Sequence, residues 1–193
     1  ILAHNSAILT DTSLVHQIYH KSKLVVGTEL TPYPKLFIPL ENLLGGPYMG
    51  KDIGQKEISC LGDIGVPICY ESVYGEFCTG YVRKGARLLA VITNDVWWGD
   101  TPGYRQHLNY SRLRAIETRR YVARCANTGI SAIIDPRGRI VSRTNWWEPA
   151  VLEGTVKLRN GETFFVRYGD MVGRISILLF FLLFAAALFR PRH

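Results

Sequence analysis

Alternating and continuous apolar positions divide the chain into short segments of two kinds. Ser6–Leu9 and Val15–Tyr19 alternate as short strands around Thr10-Asp11-Thr12-Ser13, which predicts a hairpin. Asp63–Cys69 and Leu88–Thr93 are apolar enough for buried strands, and the stretch from Glu71 to Gly85 has helical spacing. A longer helix is expected over Tyr104–Asn127. Leu108, Ala115 and Val122 would recur there on a core face, with Arg105, Arg112 and Arg119 on the neighbouring one. Ser131–Ile134 and Arg139–Ser142 flank Asp135-Pro136-Arg137-Gly138, whose Pro and Gly suit a tight turn, so a second hairpin is expected. Residues 30–57 are rich in Pro and Gly and predict loop with one short helix. Such a long irregular stretch in a compact domain usually serves function or motion. Helices alternating with strands, with two hairpins added, predict an α/β protein: a mixed sheet covered by helices.

The tail follows a different pattern. Ile175 to Phe189 carries no charge and no Pro, and every face of the helix it would form is apolar. A core helix of a small domain keeps a polar face, so a membrane helix is the better expectation. Fifteen residues rise roughly 22 Å, and Met171, Val172 and a snorkelling Arg174 lengthen the span towards the roughly 30 Å of a hydrocarbon core. The closing Arg190-Pro191-Arg192-His193 fits a cytoplasmic end, which would put the preceding domain on the outer side. The first residue is Ile1, nothing early resembles a signal peptide, and the chain reads as the later part of a longer protein.

Composition limits the classes. With 193 residues, 47% apolar and 20% charged, the chain can bury one sizeable core and is neither disordered nor a polytopic membrane protein. The formal charge of +7 raises the question of nucleic acid. Its distribution argues against that partner. Residues 101–150 hold nine arginines against Glu117, Asp135 and Glu148, and the tail adds Arg174, Arg190 and Arg192, with no coherent basic stripe. The five histidines and the cysteines Cys60, Cys69, Cys78 and Cys125 match no metal-ligand spacing, so no metal is expected, and no essential disulfide either.

Candidate chemistry centres on Ile68-Cys69-Tyr70-Glu71. A Cys between a strand and a helix would meet unpaired N–H groups, which favour a thiolate and can hold an oxyanion. A strand-end Cys alone is usually inert and buried. Its companions are the segment from Tyr19 through Lys21 to Glu29, the loop Asn94-Asp95-Val96-Trp97-Trp98-Gly99-Asp100, and Arg114-Ala115-Ile116-Glu117. In this order the four segments resemble the nitrilase, or carbon–nitrogen hydrolase, superfamily with its Glu–Lys–Cys triad. Within it they are most similar to the apolipoprotein N-acyltransferase family. Lys21 and Glu29 stand eight apart, Cys69 precedes Tyr70-Glu71, and one apolar helix closes the chain. Val26-Gly27-Thr28 stands where the family has Pro-Phe-Gly.

The resemblance implies a nitrilase-like α-β-β-α sandwich, incomplete at its N-terminal side, over residues 1–170, followed by a membrane helix over 171–193. It implies Cys69 as nucleophile, Lys21 as triad lysine, and Glu29, Tyr70 and Glu71 as supporting residues. The triad Glu would lie upstream of Lys21, where this chain has none, so the fragment would be inactive by itself. The implied activity moves an acyl chain from a phospholipid donor, through a cysteine thioester, to the N-terminal amine of a lipoprotein acceptor. It takes place at a bacterial plasma membrane, without a cofactor. Trp97 and Trp98 would wall the acyl chain or anchor at the membrane interface, with a packed lid as the plainer role. Asn94 and Asp95 would fix their loop by turn hydrogen bonds, and His107 would be a structural polar residue. An amidase acting on small amides and a catalytically incomplete, membrane-tethered domain are the alternatives.

Overall fold

The computed structural model describes residues 3–12, 16–46 and 50–189. The tip of the first hairpin, Ser13–Val15, and the basic end, Arg190–His193, lie outside the described residues. Strands β1 (Ser6–Thr10) and β2 (His16–His20) pair antiparallel, with Ala7 opposite Tyr19, as the alternation predicts. Helix α1 (Pro34–Leu43) occupies ten residues of the Pro/Gly-rich stretch, with Pro34 in its first turn, where no N–H is required.

A five-stranded sheet follows in the order β3 (Ile64–Gly65), β4 (Leu88–Thr93), β5 (Val122–Ala126), β6 (Ala132–Ile134) and β7 (Ile140–Arg143). β3, β4 and β5 run parallel, and β6 and β7 return antiparallel, so the sheet is mixed as expected. Helices α2 (Gly75–Arg83) and α3 (Gly103–Thr118) are the crossovers of its parallel part. Tyr81 of α2 and Leu108 and Ala115 of α3 bury against Leu89, Val91 and Val122. On the other sheet face Ile92 and Cys125 are exposed, and the extended segment Ala150–Val156 borders a groove of about 380 Å³. The hairpin β1–β2 docks beside β3, where Gln17 Oε1 accepts from Gly62 N at 2.7 Å and the Tyr19 ring meets Tyr81 edge-on.

Three expected boundaries shift. The strand Asp63–Cys69 contracts to Ile64–Gly65 with a single bridge from Ile68 to Ile92, because Pro67 has no N–H for the ladder. The helix expected over Glu71–Gly85 splits into a 3-10 turn, Cys69–Val73, and α2, because Tyr74 between them is extended. The helix expected over Tyr104–Asn127 stops at Thr118: Arg119 takes left-handed φ (52°), and Val122–Ala126 becomes a strand beside β4. Val122 is therefore core on a strand, not on a helix. Beyond the break, buried Arg120 donates to the carbonyls of Ala86, Thr118 and Gly161 at 2.9, 3.1 and 2.7 Å.

Helix α4 (Phe164–Tyr168) starts at Thr163, whose Oγ1 accepts from Val166 N, and α5 (Met171–Leu188) starts at Asp170, whose carboxylate accepts from Gly173 N at 2.8 Å. α5 has 18 residues and a mean hydropathy of 2.3, and no part of it is buried against the rest of the protein. It rises about 27 Å. By length and composition it is a candidate membrane span. Its foot is tied to α2, where Glu76 accepts from Asp170 N at 2.7 Å and from Arg174 at 2.8 Å.

Gly65 lets α2 close onto the sheet. A Cβ there would lie 2.6 Å from Tyr81 Cβ and 2.9 Å from Leu89 Cδ2. Gly65→Ala is expected to cost about 1–3 kcal/mol of stability by overpacking, lowering Tm by about 2–4 °C per kcal/mol. Thermal denaturation of the variant checks this, and an unchanged midpoint would mean that α2 does not press on β3.

Candidate active site

The Cys69 turn is built on strained backbone. Ile68 leaves the sheet in extended conformation, and Cys69 then takes φ 51°, the left-handed region where a non-glycine residue costs about 1–2 kcal/mol. The sequence suggested a thiol at the N-terminus of an α-helix. Cys69 instead opens the 3-10 turn, and α2 begins only at Gly75, so the helix-dipole argument does not apply in that form. Ser72 Oγ donates back to the Cys69 carbonyl at 2.8 Å.

Glu71 holds this turn to the Lys21 segment. Its carboxylate is fully buried. Oε1 accepts from Ser22 N (2.6 Å), Lys23 N (2.9 Å) and the Tyr19 hydroxyl (2.8 Å). Oε2 accepts from Ile68 N at 2.8 Å, with the Tyr81 hydroxyl 3.3 Å away. Burial and then the Glu71 charge push both phenol pKa values well above their usual range, so Tyr19 and Tyr81 remain protonated donors.

Lys21 is also fully buried, and its ammonium meets both Glu29 oxygens at 2.7 Å. Glu29 accepts further from Val25 N (2.8 Å) and Asn5 Nδ2 (3.2 Å), which fixes its orientation. Together these bonds replace the water that the two charges lose.

Cys69, Tyr70, Glu29, Trp97 and Trp98 line a single cavity of about 370 Å³, with Val25, Thr28, Asn94 and His107 completing it. Five of the seven residues singled out in the sequence thus meet on one surface. Lys21 reaches it through Glu29, and Glu71 braces it from within the core. The Tyr70 ring meets Tyr74 edge-on. Trp97 is 74% exposed, and Trp98 lies against Gly103, where a Cβ would collide with the indole. Asn94 Oδ1 caps its turn by accepting from Val96 N at 3.2 Å, as expected. Asp95 departs from that expectation: it is 1% exposed and faces His107 and Arg124. The other thiols are chemically distinct from the cavity. Cys78 is buried and pushed up to about 12 by that burial, and burial also raises Cys60. Among the described residues no His, Cys, Asp and Glu group is arranged to hold a metal.

Comparison with known proteins shows the family and the fold. A family profile described as carbon–nitrogen hydrolase matches residues 2–163. A protein of Geobacter metallireducens named apolipoprotein N-acyltransferase is 41% identical over 155 residues, 78% of this chain and 29% of that protein. The chain therefore spans less than a third of that relative's length. Among solved structures, the Caenorhabditis elegans NitFhit protein superposes with a TM-score of 0.57 at 22% identity, over 75% of this chain and 36% of that one. Saccharomyces cerevisiae Nit3, a member of branch 10 of the nitrilase superfamily, superposes with a TM-score of 0.52 at 21% identity, over 76% and 51%. The fold is thus nitrilase-like.

Glu71→Gln tests the brace. The amide keeps one acceptor oxygen and turns an NH2 group towards backbone donors. The variant is expected to lose at least about 3 kcal/mol of stability, from several hydrogen bonds to a charged group worth about 1.5–3 kcal/mol each. Denaturant unfolding measures the loss. A change under about 1 kcal/mol would remove Glu71 from this role.

Proposed function

The chain belongs to the carbon–nitrogen hydrolase family, and from that membership we propose that it is the nucleophile-bearing part of a membrane-anchored acyltransferase of the apolipoprotein N-acyltransferase type. The cavity carries the proposal: a cysteine on a strained turn opens into a space bordered by Val25, Tyr70, Trp97 and Trp98, with the Lys21–Glu29 pair beside it. Walls of this kind suit an acyl chain. The named relatives and the exposed apolar helix α5 support the same class.

In the proposed reaction the Cys69 sulfur attacks the ester carbonyl of a phospholipid. The Lys21 ammonium and the Tyr70 backbone N–H stabilise the oxyanion. Its collapse breaks the C–O bond, and lysophospholipid leaves with a proton. The amine of a diacylglyceryl-cysteine at a lipoprotein N-terminus then attacks the thioester, loses a proton, and expels the Cys69 thiolate. Two half-reactions through one covalent intermediate give ping-pong kinetics. Glu29 holds Lys21 in place, and Tyr70 and the two tryptophans shape the acyl site. Proton transfer is assigned to the triad Glu that the resemblance implies.

Residues 1–170 form the catalytic part of this proposal and 171–193 the anchor. The catalytic part sits outside the plasma membrane, and Arg190–His193 lies on the cytoplasmic side.

Two experiments test the proposal. The full-length protein is incubated with phospholipid labelled in its acyl chain, and hydroxylamine-sensitive label is expected on the Cys69 peptide. Cys69→Ala should abolish the label. Lys21→Met should slow its formation by about 10²–10³-fold. Undiminished label in Cys69→Ala excludes the thioester. Separately, Leu179→Arg with Leu182→Arg should release the chain from membranes without detergent, since each substitution costs about 2.5–3.5 kcal/mol at mid-helix. Retention of the double variant argues against α5 as the anchor.

A further inference from the structure

His107 is 2% exposed and touches the nucleophile's own backbone. Its Nδ1 lies 2.8 Å from Asp95 Oδ1. Its Nε2 lies 3.2 Å from the Cys69 carbonyl oxygen and 3.0 Å from Ser72 Oγ. Asp95 in turn accepts from Arg124 at 2.5 Å on Oδ2 and from Thr93 Oγ1 at 3.0 Å on Oδ1. Arg124 is held by the Ile130 carbonyl (3.2 Å) and Ser111 Oγ (3.1 Å), and its outer nitrogen lies 3.4 Å from His107 Nδ1. The Trp98 ring stands 6.3 Å away and covers the cavity side. The β4 end, β5, α3 and the Cys69 turn thus converge on one imidazole.

Counting protons assigns the contacts. Burial raises the Asp95 pKa, but the His107 hydrogen bond and the Arg124 charge outweigh it and hold the carboxyl below its usual range. Asp95 therefore only accepts, and Nδ1 carries a proton. Ser72 has one hydroxyl proton, directed to the Cys69 carbonyl. Nε2 thus faces both the Cys69 carbonyl oxygen and Ser72 Oγ, so the ring meets the carbonyl directly and also through the Ser72 hydroxyl.

We propose that His107 is a positioning residue for the nucleophile: its ring ties the Cys69 carbonyl to the buried Asp95–Arg124 pair and so holds the left-handed turn that presents the thiol to the cavity. The inference rests on Cys69 being the nucleophile, as proposed above. It gives a task to a buried charge cluster that none of the acyl-transfer steps uses. The strain at Cys69 persists only because surrounding bonds over-determine it, and these are the bonds that face its carbonyl.

Two variants separate the halves of the imidazole. In His107→Gln the amide group reaches the Nε2 position and keeps a polar contact to the Cys69 carbonyl and Ser72. In His107→Asn it reaches only the Nδ1 position and keeps Asp95. Cys69 alkylation by iodoacetamide in the full-length protein requires no acyl donor and reads presentation of the thiol directly. His107→Asn is expected to slow alkylation and single-turnover acylation by about ten- to hundredfold, with KM for phospholipid unchanged. His107→Gln should stay within about threefold of wild type, with a Tm equal to that of His107→Asn. Wild-type alkylation rates in His107→Asn, or equal losses in both variants in step with Tm, overturn the proposal. If wild-type protein forms no thioester while the alkylation difference holds, the acyltransfer proposal fails and this one stands.

Discussion

The Glu71 carboxylate is the constraint on which the site depends. It is two residues from Cys69, yet its partners Ser22, Lys23 and Tyr19 come from a segment about fifty residues earlier. A buried carboxylate has to replace its water with donors, and only the native pairing of the two segments supplies them. The lysine and the cysteine therefore cannot drift apart without exposing a bare charge to the core. Tyr81 adds α2 to the same cluster, so the crossover helix, the hairpin and the Cys69 turn share one polar centre.

Charge also supports the far side of the turn. Lys21–Glu29 lies on one flank, and Asp95, His107 and Arg124 lie on the other. Buried pairs of this kind add little net stability over well-packed apolar residues, because desolvation offsets attraction. What they supply is geometry: each charge is costly in any other arrangement. The left-handed backbone at Cys69 sits between the Ile68 N–Glu71 bond and the Ser72 and His107 contacts to its carbonyl, which explains how a turn of only five residues can stay strained without a regular helix to define it.

Much of this was legible in the sequence, and the exceptions share a cause. Both hairpins follow from local patterning because their partner strands are adjacent in sequence, and β4 and α5 because each is a continuous apolar run. The α3–β5 boundary was hidden. Arg119 carries no glycine-like signal for its left-handed φ, and Val122 continues the apolar spacing of α3 while belonging to a strand. The resemblance singled out Cys69, Tyr70, Glu71, Lys21 and Glu29, and the structure brings Cys69, Tyr70 and Glu29 to one cavity. The contact of His107 with Arg124 and the Cys69 turn was not legible, because they meet Asp95 only when α3 and β5 pack together, and nothing local marks a histidine or arginine as facing inward. The two aligned arginine and apolar rows drawn on a longer helix likewise dissolve once Arg119 becomes the helix end.

α5 is not an appendage on a flexible tether. Glu76 in the first turn of α2 binds both the residue that caps α5 and the arginine in its first turn, and Arg83 at the other end of α2 donates to the Val166 carbonyl of α4 at 2.6 Å. Exposed ion pairs such as Glu76–Arg174 contribute little by themselves. Here the backbone bond from Asp170 and the burial of Val166 against the body add to it, so the foot of the helix is held at several points. α2 also carries Tyr81, which reaches the Glu71 carboxylate. A single nine-residue helix thus joins the apolar helix α5 to the carboxylate that braces the Cys69 turn. That linkage fixes the position of the cavity relative to the foot of α5 by the fold rather than by a flexible tether.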